Sequence, residues 1–163
     1  MEGAGPRARP FGGTVLVKST ILLLDDETDN LFVLENLLKG FGDGHRVDTV
    51  SFTCGREALA WCCQREPDVC LIDYMMPGMD GLDFLIAVRK LPGFVHIPIV
   101  MITGVSDLEV RNYALYNGAS DFWLKPIDPT QVRLGLTRIL EREQSTVFLL
   151  PGGILDAGPR LAG

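Results

Sequence analysis

A small set of polar residues in this chain has the types and placement to handle a phosphoryl group and a divalent cation. Asp73 ends the apolar run Val69-Cys70-Leu71-Ile72 and is followed by the Pro/Gly loop Met76-Pro77-Gly78-Met79-Asp80-Gly81. Asp25-Asp26-Glu27, Thr103-Gly104 and Lys125-Pro126 also sit at the ends of apolar runs. In a parallel sheet such ends share one edge, which is where open α/β sheets bind ligands. Carboxylates gathered there repel one another unless a cation lies between them, and hard oxygen donors suit Mg²⁺. The metal would neutralise charge on an incoming phosphoryl group while the Thr103 hydroxyl and Lys125 ammonium hold its equatorial oxygens. Asp73, projecting from a central strand into the loop, is the candidate nucleophile, and its attack on phosphorus would give an acyl phosphate.

Positioning such a set takes strands that all end at one rim. Ile21-Leu22-Leu23-Leu24 is a continuous apolar run, the form of a strand buried on both faces. Leu31, Leu34, Leu37, Leu38 and Phe41 then recur at helical spacing and stop in the glycines of 40–44. The alternation continues with a strand over Val47–Phe52, a helix over Gly55–Gln64 and a strand over Val69–Ile72. A helix over Leu82–Leu91 and a strand over Ile97–Ile102 follow. Ser106 or Asp107 can cap the next helix, and Asn117-Gly118 ends it. Phe122-Trp123-Leu124 is the fifth strand, and Asp128-Pro129 opens a helix with the apolar stripe Val132, Leu136, Ile139 and Leu140.

Strict alternation of strand and helix argues for an α/β, doubly wound, five-stranded parallel sheet of flavodoxin-like type. Right-handed crossovers that cover both faces require the winding to reverse once. With strand order 2-1-3-4-5 the reversal falls between the first and third strands, which end in Asp25-Asp26 and Asp73. The carboxylates therefore fall in the expected crevice.

Composition sets the outer bounds. At 163 residues and 47% hydrophobic, the chain holds one well-buried domain, expected over 20–143. Residues 1–19 read as a Gly/Pro/Arg-rich leader, with order beginning near Ser19 or Thr20, and 144–163 as a C-terminal tail. A net charge of −6 argues against a nucleic-acid-binding surface. Nothing approaches the ~20 apolar residues of a membrane span, and no secretory signal is convincing. Cys54, Cys62, Cys63 and Cys70 match no zinc-type spacing and read as free thiols of a cytoplasmic protein. His45 and His96 precede strands on the opposite edge, away from the chemistry.

Together, Asp25-Asp26, Asp73 with its Met76-Pro77-Gly78-Met79-Asp80-Gly81 loop, Thr103-Gly104 and Lys125-Pro126 resemble the receiver domain of two-component response regulators. The resemblance runs from about Ile21 to about Glu141. It implies that Asp73 accepts a phosphoryl group from a sensor histidine kinase or a histidine phosphotransfer protein. It further implies Mg²⁺ held directly by Asp26 and Asp73, through water by Asp25, and by the backbone carbonyl of Met75. Lys125-Pro126 would be a cis peptide, a bond that only proline makes accessible. Thr103 and Phe122 would form a switch, with Phe122 lacking the hydroxyl of the commoner Tyr. The output face would be the fourth helix, fifth strand and fifth helix, with a homodimer among the outputs this face allows. Met75 and Val105 occupy positions that govern phosphoryl lifetime in this family, and neither can orient a water, so self-dephosphorylation is expected to be slow.

Each signal has an ordinary structural reading on its own: Asp25-Asp26-Glu27 as a solvated helix start, Thr103 as a turn residue, Lys125 as a surface amine. Their joint occurrence in order carries the reading. An aspartyl-phosphate hydrolase of the haloacid dehalogenase type is the enzymatic alternative, but it needs a second Asp two residues after the nucleophile, where this chain has Met75. The receiver itself is expected not to be an enzyme. Two organisations remain open: a stand-alone receiver, or the regulatory part of a longer regulator with an enzymatic output domain, such as one acting on cyclic diguanylate.

Overall fold

The computed structural model describes residues 17–41 and 45–144. Strands β1 (Val17–Leu24), β2 (His45–Phe52), β3 (Val69–Asp73), β4 (Ile99–Thr103) and β5 (Asp121–Leu124) alternate with five helices. These are α1 (Thr28–Lys39), α2 (Gly55–Cys62), α3 (Gly81–Val88), α4 (Leu108–Tyr116) and α5 (Pro129–Gln144). The strands form one parallel sheet in the order β2-β1-β3-β4-β5.

The continuous apolar runs make sense because the sheet is covered on both sides. Successive strand residues point to opposite faces, so Leu22 and Leu24 of β1 join Cys70, Ile72 and Met101 beneath Ala58, Cys62, Phe84, Leu85, Val88 and Ala114 of α2, α3 and α4. Ile21, Leu23, Val69, Leu71, Val100, Ile102 and Trp123 pack on the other face against Leu31, Leu34 and Leu38 of α1 and Val132, Leu136 and Leu140 of α5. Each fully buried Leu or Ile contributes roughly 1.5–3 kcal/mol. Gly135 lets α5 approach β5: a Cβ there would lie 2.4 Å from Cζ2 of Trp123.

Element ends follow local chemistry. Asp80 and Asp107 cap α3 and α4 by accepting the N–H groups of Asp83 and Glu109, and the Asp128 carboxylate accepts from Thr130 N–H at the start of α5. Of the two candidate caps for α4, Asp107 serves. Gly118, at φ +99°, turns the chain out of that helix, as the Asn-Gly pair predicts. β1 starts at Val17, inside the expected leader, because its first half pairs only with the edge strand β2 and needs no apolar run. α2 and α3 are shorter than expected, stopping at Cys62 and Val88. Residues 1–16, 42–44 and 145–163, with most of the expected leader and tail, lie outside the described residues.

At the amino-terminal edge of the sheet, Arg89 joins the loops before β4 and β5. Its guanidinium donates to the carbonyls of Phe94, of Ile97 (2.7 Å) and of Gly118 (2.6 Å). Burial pushes its pKa down. His96 lies in the same connection before β4, far from the opposite rim.

Candidate functional site

Strand register assembles the site. Leu24 pairs with Ile72, so Asp25 and Asp73 emerge side by side from β1 and β3. Tyr74 N–H donates to the Ile102 carbonyl at 2.7 Å, and Lys125 N–H donates to the Thr103 carbonyl at 2.7 Å. The carboxyl ends of β1, β3, β4 and β5 thereby carry Asp25-Asp26, Asp73, Thr103 and Lys125 along one rim. The Lys125-Pro126 bond is cis, as expected from the motif.

Lys125 reaches across the rim to two acids at once. Its Nζ lies 2.9 Å from Oδ2 of Asp25 and 2.7 Å from Oδ1 of Asp73. The other Asp25 oxygen accepts from Glu27 N–H at 2.9 Å and from Asn30 Nδ2 at 3.1 Å. Both oxygens of Asp25 are thus engaged, whereas the second oxygen of Asp73 has no hydrogen-bond partner among the described residues. Asp25 and Asp73 are buried; Asp26 is more open.

Electrostatics follow from that crowding. Burial raises the Asp73 pKa above its ordinary value, the Lys125 ammonium opposes the rise, and Asp25 and Asp26 add to it. Burial works against the Lys125 charge, but hydrogen bonds to Asp73 and Asp25 outweigh it and its pKa moves up. One ammonium against three carboxylates leaves excess negative charge in a partly dehydrated cleft.

That excess is what a divalent ion would neutralise. Asp25, Asp26 and Asp73 each offer one oxygen, all within 4.8 Å of one another. An all-oxygen set with surplus charge fits Mg²⁺. Beside it a cleft of about 350 Å³ is lined by Tyr74, Met75, Met76, Pro77 and Asp80. Met75 stands 60% exposed at its mouth.

Thr103 is fully buried, and its hydroxyl accepts from Val105 N–H at 3.1 Å. Phe122, buried beneath α4, pairs with Met101 and borders a cavity of about 310 Å³ with Ser106, Leu108, Arg111 and Leu124. The loop after Asp73 closes tightly because Gly81 N–H donates to the Tyr74 carbonyl at 3.0 Å. A Cβ on Gly81 would lie 2.2 Å from the Asp73 carbonyl oxygen. Asn30 is the site residue that the sequence reading missed. A polar amide in the first turn of a helix is too common to have signalled this contact, which appears only once α1 is docked beside the end of β1.

The family model described as "Response regulator receiver domain" matches residues 21–147. The chain belongs to that family. This receiver is 36% identical over 126 residues to the cyclic di-GMP phosphodiesterase response regulator RpfG of Xanthomonas campestris pv. campestris, an alignment covering 77% of this chain and 33% of RpfG. The chain therefore spans about a third of that relative's length. The structure matches the Vibrio cholerae chemotaxis protein CheY4 with a TM-score of 0.67 and 29% identity, over 76% of this chain and 99% of CheY4. It also matches the receiver domain of the sensor histidine kinase PA1611 of Pseudomonas aeruginosa, which has a magnesium ion coordinated in its active site cleft. That match has a TM-score of 0.62 and 28% identity, over 77% of this chain and 97% of that one.

Receiver domains of two-component response regulators are phosphorylated by histidine kinases or phosphotransfer proteins, and the family typically binds Mg²⁺. Membership sets aside the haloacid dehalogenase reading, and the receiver domain itself is not an enzyme. Among the described residues no helix is long and apolar enough to cross a membrane.

Proposed function

We propose that Asp73 is the phosphoacceptor of this receiver and that Lys125 and Thr103 hold the transferred group. The observation that carries this reading is the Asp73 carboxylate: one oxygen is fixed on Lys125 at 2.7 Å, and the other has no partner among the described residues. Asp26 and Asp73 would hold Mg²⁺ directly, with Asp25 acting through water and the Met75 carbonyl completing the protein's share. Bound Mg²⁺ supplies positive charge that offsets the charge of the incoming phosphoryl oxygens.

A lone pair on the free Asp73 oxygen forms the new O–P bond as the N–P bond of a donor phosphohistidine breaks. The imidazole nitrogen keeps that electron pair and is then protonated. Lys125 already lies at the acceptor and can take a phosphoryl oxygen, while Asp25 retains its contacts to Glu27 and Asn30. The Thr103 hydroxyl, held only by one backbone N–H among the described residues, can turn toward the same group. Its departure opens space for Phe122, shifting the face made by α4, β5 and α5. A cytoplasmic site of action, a sensor kinase or phosphotransfer partner and a homodimer through this face belong to the same proposal.

A place in a longer regulator with an enzymatic output domain, the organisation for which RpfG is the model, is the second reading of the same proposal. Intact mass spectrometry after incubation with Mg²⁺ and acetyl phosphate tests the acceptor. A gain of one phosphoryl group is expected in the wild type and not in Asp73→Asn. Labelling of the variant would sink the assignment. Once donor is removed, the labelled species should decay slowly, because exposed Met75 and Val105 offer an attacking water no hydrogen bond.

A further inference from the structure

Asp25 is 2% exposed, yet it is held by three donors, two from the start of α1 and one from the end of β5. Lys125 Nζ takes one oxygen at 2.9 Å, and Glu27 N–H and Asn30 Nδ2 take the other at 2.9 and 3.1 Å. The same Asn30 nitrogen also donates to Oε2 of Glu27 at 3.1 Å. A single neutral amide, half-buried in the first turn of α1, therefore lies between two carboxylates that would otherwise repel each other. An amide NH₂ has two donors, enough to serve both acids.

We propose that Asn30 is a positioning residue for the cation of this site, acting through Asp25 and Glu27. This rests on the reading of Asp25, Asp26 and Asp73 as the Mg²⁺-binding cluster. By bridging the two acids, Asn30 fixes the rotamer of Asp25 and so the direction in which it presents its charge. It also keeps the exposed Glu27 side chain folded back toward the cluster, adding negative potential beside the cation without making Glu27 a ligand. Lys125 draws the opposite side of Asp25, so the amide and the ammonium together hold its charge in one direction beside the cluster. Loss of the amide leaves that Asp25 oxygen on the Glu27 N–H alone and lets the Glu27 side chain swing into solvent, away from its like-charged neighbour.

The test is calorimetric titration of the whole chain with MgCl₂ in the absence of any phosphodonor. Wild type, Asn30→Ala, Glu27→Gln and the double variant are compared, each with its melting temperature in EDTA. The expected result is a Mg²⁺ dissociation constant raised several-fold in Asn30→Ala, with a metal-free melting temperature close to wild type. The effect should be smaller in the Glu27→Gln background, since the two residues act as one unit. Phosphorylation of Asn30→Ala by acetyl phosphate should recover the wild-type maximal rate once Mg²⁺ is raised to saturation. An unchanged dissociation constant overturns the inference. So does a drop in metal-free melting temperature that accounts for the whole loss, or a rate deficit that saturating Mg²⁺ leaves in place. Absence of Mg²⁺ binding by the wild type would instead overturn the underlying reading of the cluster.

Discussion

Asp73 is stored at a cost. Burial raises its pKa, and the neighbouring Asp25 and Asp26 raise it further against the pull of Lys125. An acid whose folded pKa lies above its unfolded value binds its proton more tightly in the native state. Its favourable contribution is therefore complete below the ordinary value of 3.8 and is lost as pH rises through the shifted one. At neutral pH without metal the ionised carboxylate works against the fold. Asp73→Asn should raise the melting temperature in EDTA at pH 7 by a few degrees. Scans at successively lower pH should show that gain shrinking, and a gain that grows toward acid would contradict this electrostatic account. Acids and the amine at strand ends were legible in the sequence because each interrupts an apolar run. Asn30 was not, since its role depends on which way the α1 helix meets the end of β1, and a polar residue in a first helical turn has many ordinary uses.

At the scale of elements, the loop after Asp73 is closed between β3 and α3 by a backbone hydrogen bond. The Gly81 hydrogen bond to Tyr74 brings the helix start so near that a methyl group would meet the Asp73 carbonyl at 2.2 Å and the Tyr74 Cα at 2.9 Å. Neither neighbour is a flexible side chain, so the strand end must move. Gly81→Ala should cost about 1–3 kcal/mol, outweighing the roughly 0.5–1 kcal/mol that Ala gains over Gly within a helix. Urea unfolding should give a lower midpoint with an unchanged slope. The Gly in the loop was visible in the sequence as a breaker, but its close approach was not. Strand β1 shows a similar division: Ile21–Leu24 announces itself by hydrophobicity, whereas Val17–Thr20 is strand only because β2 is there to pair with it. The ends of α2 and α3 were overrun because Gln64 and Leu91 continue the helical pattern after the backbone has begun to turn.

Across the whole molecule, thiol chemistry reports on how the core on the α2 and α3 face is sealed. Cys62 and Cys70 are buried among the side chains under α2 and α3, while Cys54 and Cys63 are exposed. Burial, with a smaller contribution from Cys63, pushes the Cys62 thiol up to about 12, and burial pushes Cys70 up as well. A chromogenic disulfide at pH 8 should react quickly with the two exposed thiols and reach the other two only on unfolding. Rapid reaction of all four in the native protein would mean that the α2 and α3 layer opens readily. The doubly wound architecture itself could be read before any coordinates, because a sheet covered on both faces demands unbroken apolar strands and helices of matching stripe. The joining of distant loops by Arg89 could not, since it brings together carbonyls that carry no sequence signature.

Lys125 sits at the end of an outer strand but anchors its ammonium two strands further in, on Asp73, and beyond that on Asp25. Any event that alters the charge at Asp73 must therefore renegotiate a tether whose other end is the backbone of β5, three residues from Phe122. If Asp73 is the acceptor, as proposed, that tether gives its chemistry a route to β5 along one side chain, in parallel with the Thr103–Phe122 pair.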